Sequence, residues 1–327
     1  MLHQGLGRPY KGITMTRRLV LGCFVALVGA ASGAPDALLF VRDGRVMYQP
    51  AGATTARQAV TDDPGWTYVI PTWASPSEFM VMRLKGGQPN RSHVGLVERV
   101  SALPVKPSQV DWMSGLAGCY TMGFGPRAGL AGMVKLKMKG EEAFDVYLTL
   151  GAIASEWGPS QRVAKYGMGG ISDVPTRLHF SPDKRYMTIP SFPTDVSATV
   201  DLYDLKLSKV LRPLWLNPDW MRAHHADADV SCVAWLSNTR LVLGTMTSGL
   251  YLYDGAQKTV SRLDTWEPGK ARIRNLSLSA DNQRIYYDVE VYEGEKSRQE
   301  IRLVSLGGRP TVIATNASAP DAAPSDR

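Results

Sequence analysis

One pattern recurs along this chain and limits what it can fold into. Leu178–Ile189 (LHFSPDKRYMTI) is followed by Val200–Asp204 (VDLYD) and Lys209–Pro213 (KVLRP). Val233–Leu243 (VAWLSNTRLVL) is followed by Gly249–Asp254 (GLYLYD) and Lys258–Leu263 (KTVSRL). Leu276–Tyr287 (LSLSADNQRIYY) leads to Glu300–Leu306 (EIRLVSL) and Pro310–Ala314 (PTVIA). An earlier copy pairs Pro71–Met82 (PTWASPSEFMVM) with His93–Val100 (HVGLVERV). In each, a strand ends on an aromatic or aliphatic residue, and a Ser-Pro-Asp-like turn reverses it. Proline presets the first turn angle, and Asp or Asn bonds back to the backbone. A more apolar second strand, an alternating third and a polar fourth then follow. Four antiparallel strands in about 40–50 residues make one blade of a β-propeller, which buries both faces only by stacking on its neighbours.

The turn-entry residues Phe180, Trp235 and Leu278 are 55 and 43 residues apart, and Trp73 lies 107 before Phe180, room for one further blade. Residues 108–170 hold two alternating strands, Met133–Met138 and Phe144–Leu150, between glycine-rich loops. The first unit, Leu38–Tyr48 with Ala56–Thr61, supplies three strands, and strand exchange between the chain ends would complete it. The expected fold is all-β, a propeller of six four-stranded antiparallel blades over residues 35–314, with five or seven still open. Residues 315–327, rich in Ala, Ser, Pro and Asp, read as a disordered polar tail.

The opening of the chain reads as an export signal. Arg17 and Arg18 precede a 13-residue apolar run, Leu19–Ala31, and small residues follow at Ser32-Gly33-Ala34. That run is shorter than the roughly twenty residues a membrane helix needs. Residues 1–34 are therefore expected to be a signal peptide, with Met15 as an alternative start, and the mature protein periplasmic or secreted without a membrane span. The leader contributes four of the 37 basic residues and none of the 30 acidic ones, so the formal +7 falls to +3 without it. A dispersed +3 is not the basic stripe a phosphate backbone demands, and no nucleic-acid partner is expected. Export would permit a disulfide between Cys119 and Cys232, but the apolar run around Cys232 suits a buried thiol equally well.

The aromatic-Ser-Pro-Asp turn, the apolar strand after it and the Leu-Tyr-Asp strand resemble the repeats of TolB-like propellers of the bacterial periplasm. The resemblance covers residues 37–314, with Lys184 standing where those repeats usually carry glycine. It implies a six-bladed exported propeller engaged with envelope proteins.

No complete catalytic constellation is legible. Gly-x-Ser-x-Gly, Cys-x-x-Cys and His-Glu-x-x-His are absent, and no glycine-rich phosphate loop precedes a helix. The sharpest cluster is His224, His225, Asp227 and Asp229, a spacing able to hold a divalent metal but also ordinary for an exposed loop. The equivalent inter-blade links carry Asp62, Asp63, Asp173 and Glu267. Together these would ring one channel mouth, as in cation-holding propeller lactonases and phosphatases, although Asp is also a common turn residue. Trp215, Trp220 and Met221 lie in a proline-broken apolar loop and are candidates for a partner-binding rim. The leading expectation is a non-catalytic protein-binding scaffold without a cofactor. A metal-dependent lactonase-like hydrolase and a small-ligand or glycan sensor are the alternatives.

Overall fold

A computed structural model describes residues 36–88, 91–113, 118–124, 131–138, 143–151, 157–167, 177–194, 197–224 and 229–324. All belong to the compact unit Ala34–Arg327, and the signal-peptide expectation for residues 1–34 lies outside the described residues. The described chain is a six-bladed β-propeller of antiparallel sheets, whose one α-helix among the described residues is six residues long.

Blade 2 contains β4 (Trp66–Ser75), β5 (Glu78–Lys85), β6 (Ser92–Val97) and β7 (Asp111–Trp112), running outward from the ring axis. Blade 3 contains β8 (Cys119–Phe124), β9 (Ala131–Met138), β10 (Ala143–Gly151) and β11 (Gln161–Gly167). Blade 4 contains β12 (Tyr186–Thr194), β13 (Ser197–Asp204) and β14 (Lys209–Leu211). Its innermost place is held by a short segment ending at Phe180. That segment makes one bridge to Met187, and the His179 carbonyl accepts from the Thr188 amide at 2.9 Å. Blade 5 contains β15 (Val230–Trp235), β16 (Arg240–Thr245), β17 (Gly249–Asp254) and β18 (Thr259–Thr265). Blade 6 contains β19 (Ala271–Leu278), β20 (Arg284–Glu293), β21 (Lys296–Ser305) and β22 (Thr311–Thr315).

Blade 1 corrects the reading of the C-terminus. Its outer strands are β1 (Leu38–Arg42), β2 (Arg45–Gln49) and β3 (Arg57–Gln58), and its innermost strand is β23 (Ala317–Ala322). The segment expected to be a disordered tail therefore closes the ring. It pairs antiparallel with β1, Leu38 opposite Ala322 and Arg42 opposite Ala317. Its buried alanines and proline are small, and that small bulk is what made the segment look unable to pack.

The repeat motif has a local cause. In blade 4 the Ser181 hydroxyl donates to Asp183 and accepts from the Tyr186 amide, which pins the turn, while Lys184 takes a left-handed φ of 57°. The Leu-Tyr-Asp strand ends in a carboxylate that caps the next turn. Asp204 accepts from the Lys206 and Leu207 amides, and Asp254 from those of Ala256 and Gln257.

Apolar side chains fill each of the six seams between adjacent blades. Cys119 and Cys232 are free, buried thiols in blades 3 and 5. Burial pushes the Cys119 thiol up to about 12.

Candidate functional site

Of the acids expected at one channel mouth, Asp62, Asp63, Asp229 and Glu267 are among the described residues. Asp62 is exposed and takes a two-pronged bond from Arg45, at 2.7 and 2.9 Å, plus one from Gln58. Asp63 pairs with Arg83. Glu267 is exposed, and its carbonyl accepts from the Lys270 amide at 3.0 Å. The Asp229 carbonyl accepts from the Met246 amide at 2.9 Å, joining the start of β15 to the end of β16. His224 ends α1 (Pro218–Ala223). Its Nδ1 lies 2.8 Å from the Trp220 carbonyl, and its ring stacks on the Trp220 indole with centroids 4.0 Å apart. Asp173, His225 and Asp227 lie outside the described residues. Among the described residues, no three His, Cys, Asp or Glu side chains are grouped as a metal site.

The aromatic rim is also corrected in part. Trp215 and Met221 are buried against Val200, Leu202 and Val233 in the seam between blades 4 and 5. The Pro-broken loop folds onto its own ring, because Asn217 caps α1 through the Asp219 and Trp220 amides and turns Met221 inward. Trp220 stays half-buried, edge-on to Tyr253 at 5.7 Å.

What occupies the ring centre is a residue the sequence did not single out. Arg177, only 3% exposed, starts on the inner side of blade 4 and reaches across to the opposite side of the ring. Its Nη1 donates to the Pro320 carbonyl at 2.6 Å, and its Nη2 to the carbonyls of Pro71 at 2.8 Å and Ala319 at 3.3 Å. Its Nε lies 3.4 Å from the Thr72 hydroxyl, and its guanidinium 3.5 Å from the Asp321 carboxylate. Its own amide donates to Asn275 at 2.9 Å, and Asn275 in turn is held by Asp288. The Arg177 cation thus ties blade 4 to blades 1 and 2, and its amide ties it to blade 6.

The carbonyls that meet Arg177 come from two similar backbone kinks. Ile70 before Pro71 has φ 43°, and Ala319 before Pro320 has φ 51°. Left-handed backbone is costly for residues with a Cβ, above all a β-branched one. Each kink interrupts the ladder of an innermost strand, between Val69 and Thr72 and opposite Leu39–Val41. Burial raises the Asp321 pKa, opposed by the charge of Arg177. His179, two residues on, is held down to about 3 by burial and by that same cation. The signal for this site is the pair of X-Pro steps at Ile70-Pro71 and Ala319-Pro320, with one arginine placed just ahead of a repeat.

Two further features mark the outer surface. On blade 2 the Arg83 guanidinium lies between the indoles of Trp66 and Trp112, at 4.1 and 3.6 Å from the ring centroids. Beside them His93 is held below its ordinary range by burial and by the charges of Arg83 and Lys85. Between blades 6 and 1 lies a polar cleft of 380 Å³ lined by Asp43, Gly44, Glu290, Gln299, Asn316 and Ser318.

No family model and no curated protein matches the sequence. Among solved structures, the chain is similar to TolB from Acinetobacter baumannii. The TM-score is 0.55 at 13% identity, over 89% of this chain and 67% of that one. The WD40 β-propeller domain of Doa1 aligns with a TM-score of 0.43 at 11% identity, over 85% of this chain and 88% of that one. By its blades, its ring closure and its likeness in fold to the TolB structure, the chain is a β-propeller.

Proposed function

We propose that this chain is an exported, non-catalytic propeller that serves as a protein-binding scaffold in the bacterial cell envelope. The ring centre, where a channel ligand would sit, is taken by Arg177 and its carbonyl cradle. That single feature supports binding on the outside of the ring over chemistry inside it. The TolB-like fold and the charged, apolar, small-residue sequence of the first 34 residues support the envelope as its place.

Osmotic-shock fractionation with N-terminal sequencing of the mature chain tests the location. A protein in the periplasmic fraction that begins near Ala34 is expected; a cytosolic protein that keeps its first 34 residues refutes it. In-cell crosslinking with mapping of the linked peptides tests the role. Links from surface positions to one recurrent envelope protein are expected. Hydrolytic turnover that depends on a bound divalent ion and is lost in Asp229→Asn would replace the scaffold reading.

A further inference from the structure

We propose that Arg177 is the keystone of ring closure, and that the ring centre is a strand-binding site whose occupant is the closing strand β23. Without the guanidinium, β23 leaves while the other blades stay folded, and the vacated site accepts the same segment from a second copy of this chain.

β23 carries no large aliphatic or aromatic side chain: its buried apolar residues are Ala317, Ala319, Pro320 and Ala322. Three methyl groups and one proline ring contribute little hydrophobic attachment at about 25 cal/mol per Å². The strand is held by polar contacts instead, and their partners come from four other parts of the ring. The Ala319 amide donates to Asp288 at 2.8 Å and the Ala322 amide to the Ser277 hydroxyl at 3.1 Å, both from blade 6. The Asp321 carboxylate accepts from the Trp73 amide of blade 2 at 2.8 Å and from Ser277 at 2.9 Å. The Trp73 indole donates to the Asp321 carbonyl at 3.0 Å. The Ala323 amide reaches the Ala37 carbonyl at 2.9 Å, ahead of β1.

Arg177 completes this set from blade 4. It satisfies the two carbonyls of the Ala319-Pro320 kink and faces Asp321, the nearest opposite charge. Removing one partner of a buried hydrogen-bonded ion pair leaves the other charge buried alone, which is strongly unfavourable. β23 can escape that cost by leaving, because only one of its two edges is paired in a sheet and no large side chain anchors it. Blades 2 to 5 cannot, because each is interlocked by apolar residues on both faces. A released β23 exposes the inner edge of β1, whose Leu38 and Phe40 are now buried, and such an edge is a template for an incoming strand.

Amide hydrogen exchange on the full chain tests this, comparing wild type with Arg177→Ala and Arg177→Lys. In the alanine variant, amides of residues 317–323 are expected to lose about 100-fold in protection while β15 and β16 keep theirs. Arg177→Lys keeps the charge but loses the planar fork, so it is expected to fall between the two. Guanidinium ion at a non-denaturing millimolar concentration is expected to restore protection to the alanine variant, an effect that ammonium ion does not reproduce. A labelled peptide spanning residues 316–324 is expected to bind the alanine variant and not the wild type. Unchanged protection over 317–323, or uniform loss across all six blades, overturns the proposal. Should Arg177→Ala fail to fold, the full chain carrying Arg177→Lys takes its place. Protection over residues 317–323 equal to wild type in that variant overturns the proposal equally. None of these outcomes bears on whether the outer surface binds an envelope protein.

Discussion

β15 and β23 are both innermost strands of the same ring, and they are held by opposite means. Every residue of β15, from Val230 to Trp235, is buried. Val233 and Trp235 face blade 4, and Cys232 and Ala234 face Ile273 and Leu276 of blade 6. β23 offers alanines and is fixed by a carboxylate, one proline-linked kink and hydrogen bonds to neighbouring blades. The first kind of attachment is non-directional and tolerates a lost contact by repacking. The second depends on geometry, because each buried polar group needs its own partner. A propeller can therefore be stiff around most of its circumference and conditional at one seam.

The comparison breaks most plainly at Trp235. Trp235→Ala removes a buried indole and is expected to cost about 3–4 kcal/mol. Calorimetry should show one transition at a lower temperature for the whole ring, with no early local step. Asp321→Ala is expected to cost about 3 kcal/mol by leaving the Trp73 amide, the Ser277 hydroxyl and Arg177 without their partner, whereas Asp321→Asn, which keeps an acceptor for the Trp73 amide, should cost about 1 kcal/mol. Chemical denaturation distinguishes them. Equal losses in the two would show that the charge of Asp321, which both variants remove, carries its whole contribution.

The pH dependence sharpens the same contrast. His179 is depressed to about 3 in the native protein, so between its unfolded value near 6.5 and about 3 only the unfolded chain takes up its proton. That contribution to stability is intact above pH 6.5 and falls by about 1.4 kcal/mol per unit as pH drops toward 3. His179→Gln should remove one proton's worth of slope from stability curves measured over pH 4–6. The smallest effect is a gain. Lys184 sits at φ 57° on an exposed turn, and Lys184→Gly is expected to raise stability by about 0.5–1 kcal/mol in urea titrations.

Where packing is apolar, the fold was legible. The recurrence at Phe180, Trp235 and Leu278 reports strands that must bury both faces, and Asp204 and Asp254 report the turns they cap. The closing strand was not legible, because Ala317–Ala322 makes its contacts through backbone groups and one carboxylate, and composition does not register either. The three-stranded first unit was the clue, since a propeller blade with an unpaired inner edge needs a strand from elsewhere. Arg177 was hidden for a related reason: its partners are carbonyls at Pro71, Ala319 and Pro320, which every residue possesses. The Asp62 and Asp63 carboxylates were visible as residue types, yet arginines on neighbouring strands claim both. Trp215 and Met221 looked like an exposed rim because a loop's inward turn depends on one cap, Asn217.

The ring's inner seam is sewn by β23, the last strand among the described residues. As the chain is synthesised, five blades can form in order while their residues emerge. Blade 1 must wait with a bare inner edge until residue 322 is out. A chain cut short anywhere after blade 6 carries nearly all its fold and none of its closure, and that exposed edge gives a protease or chaperone a way to tell unfinished molecules from complete ones.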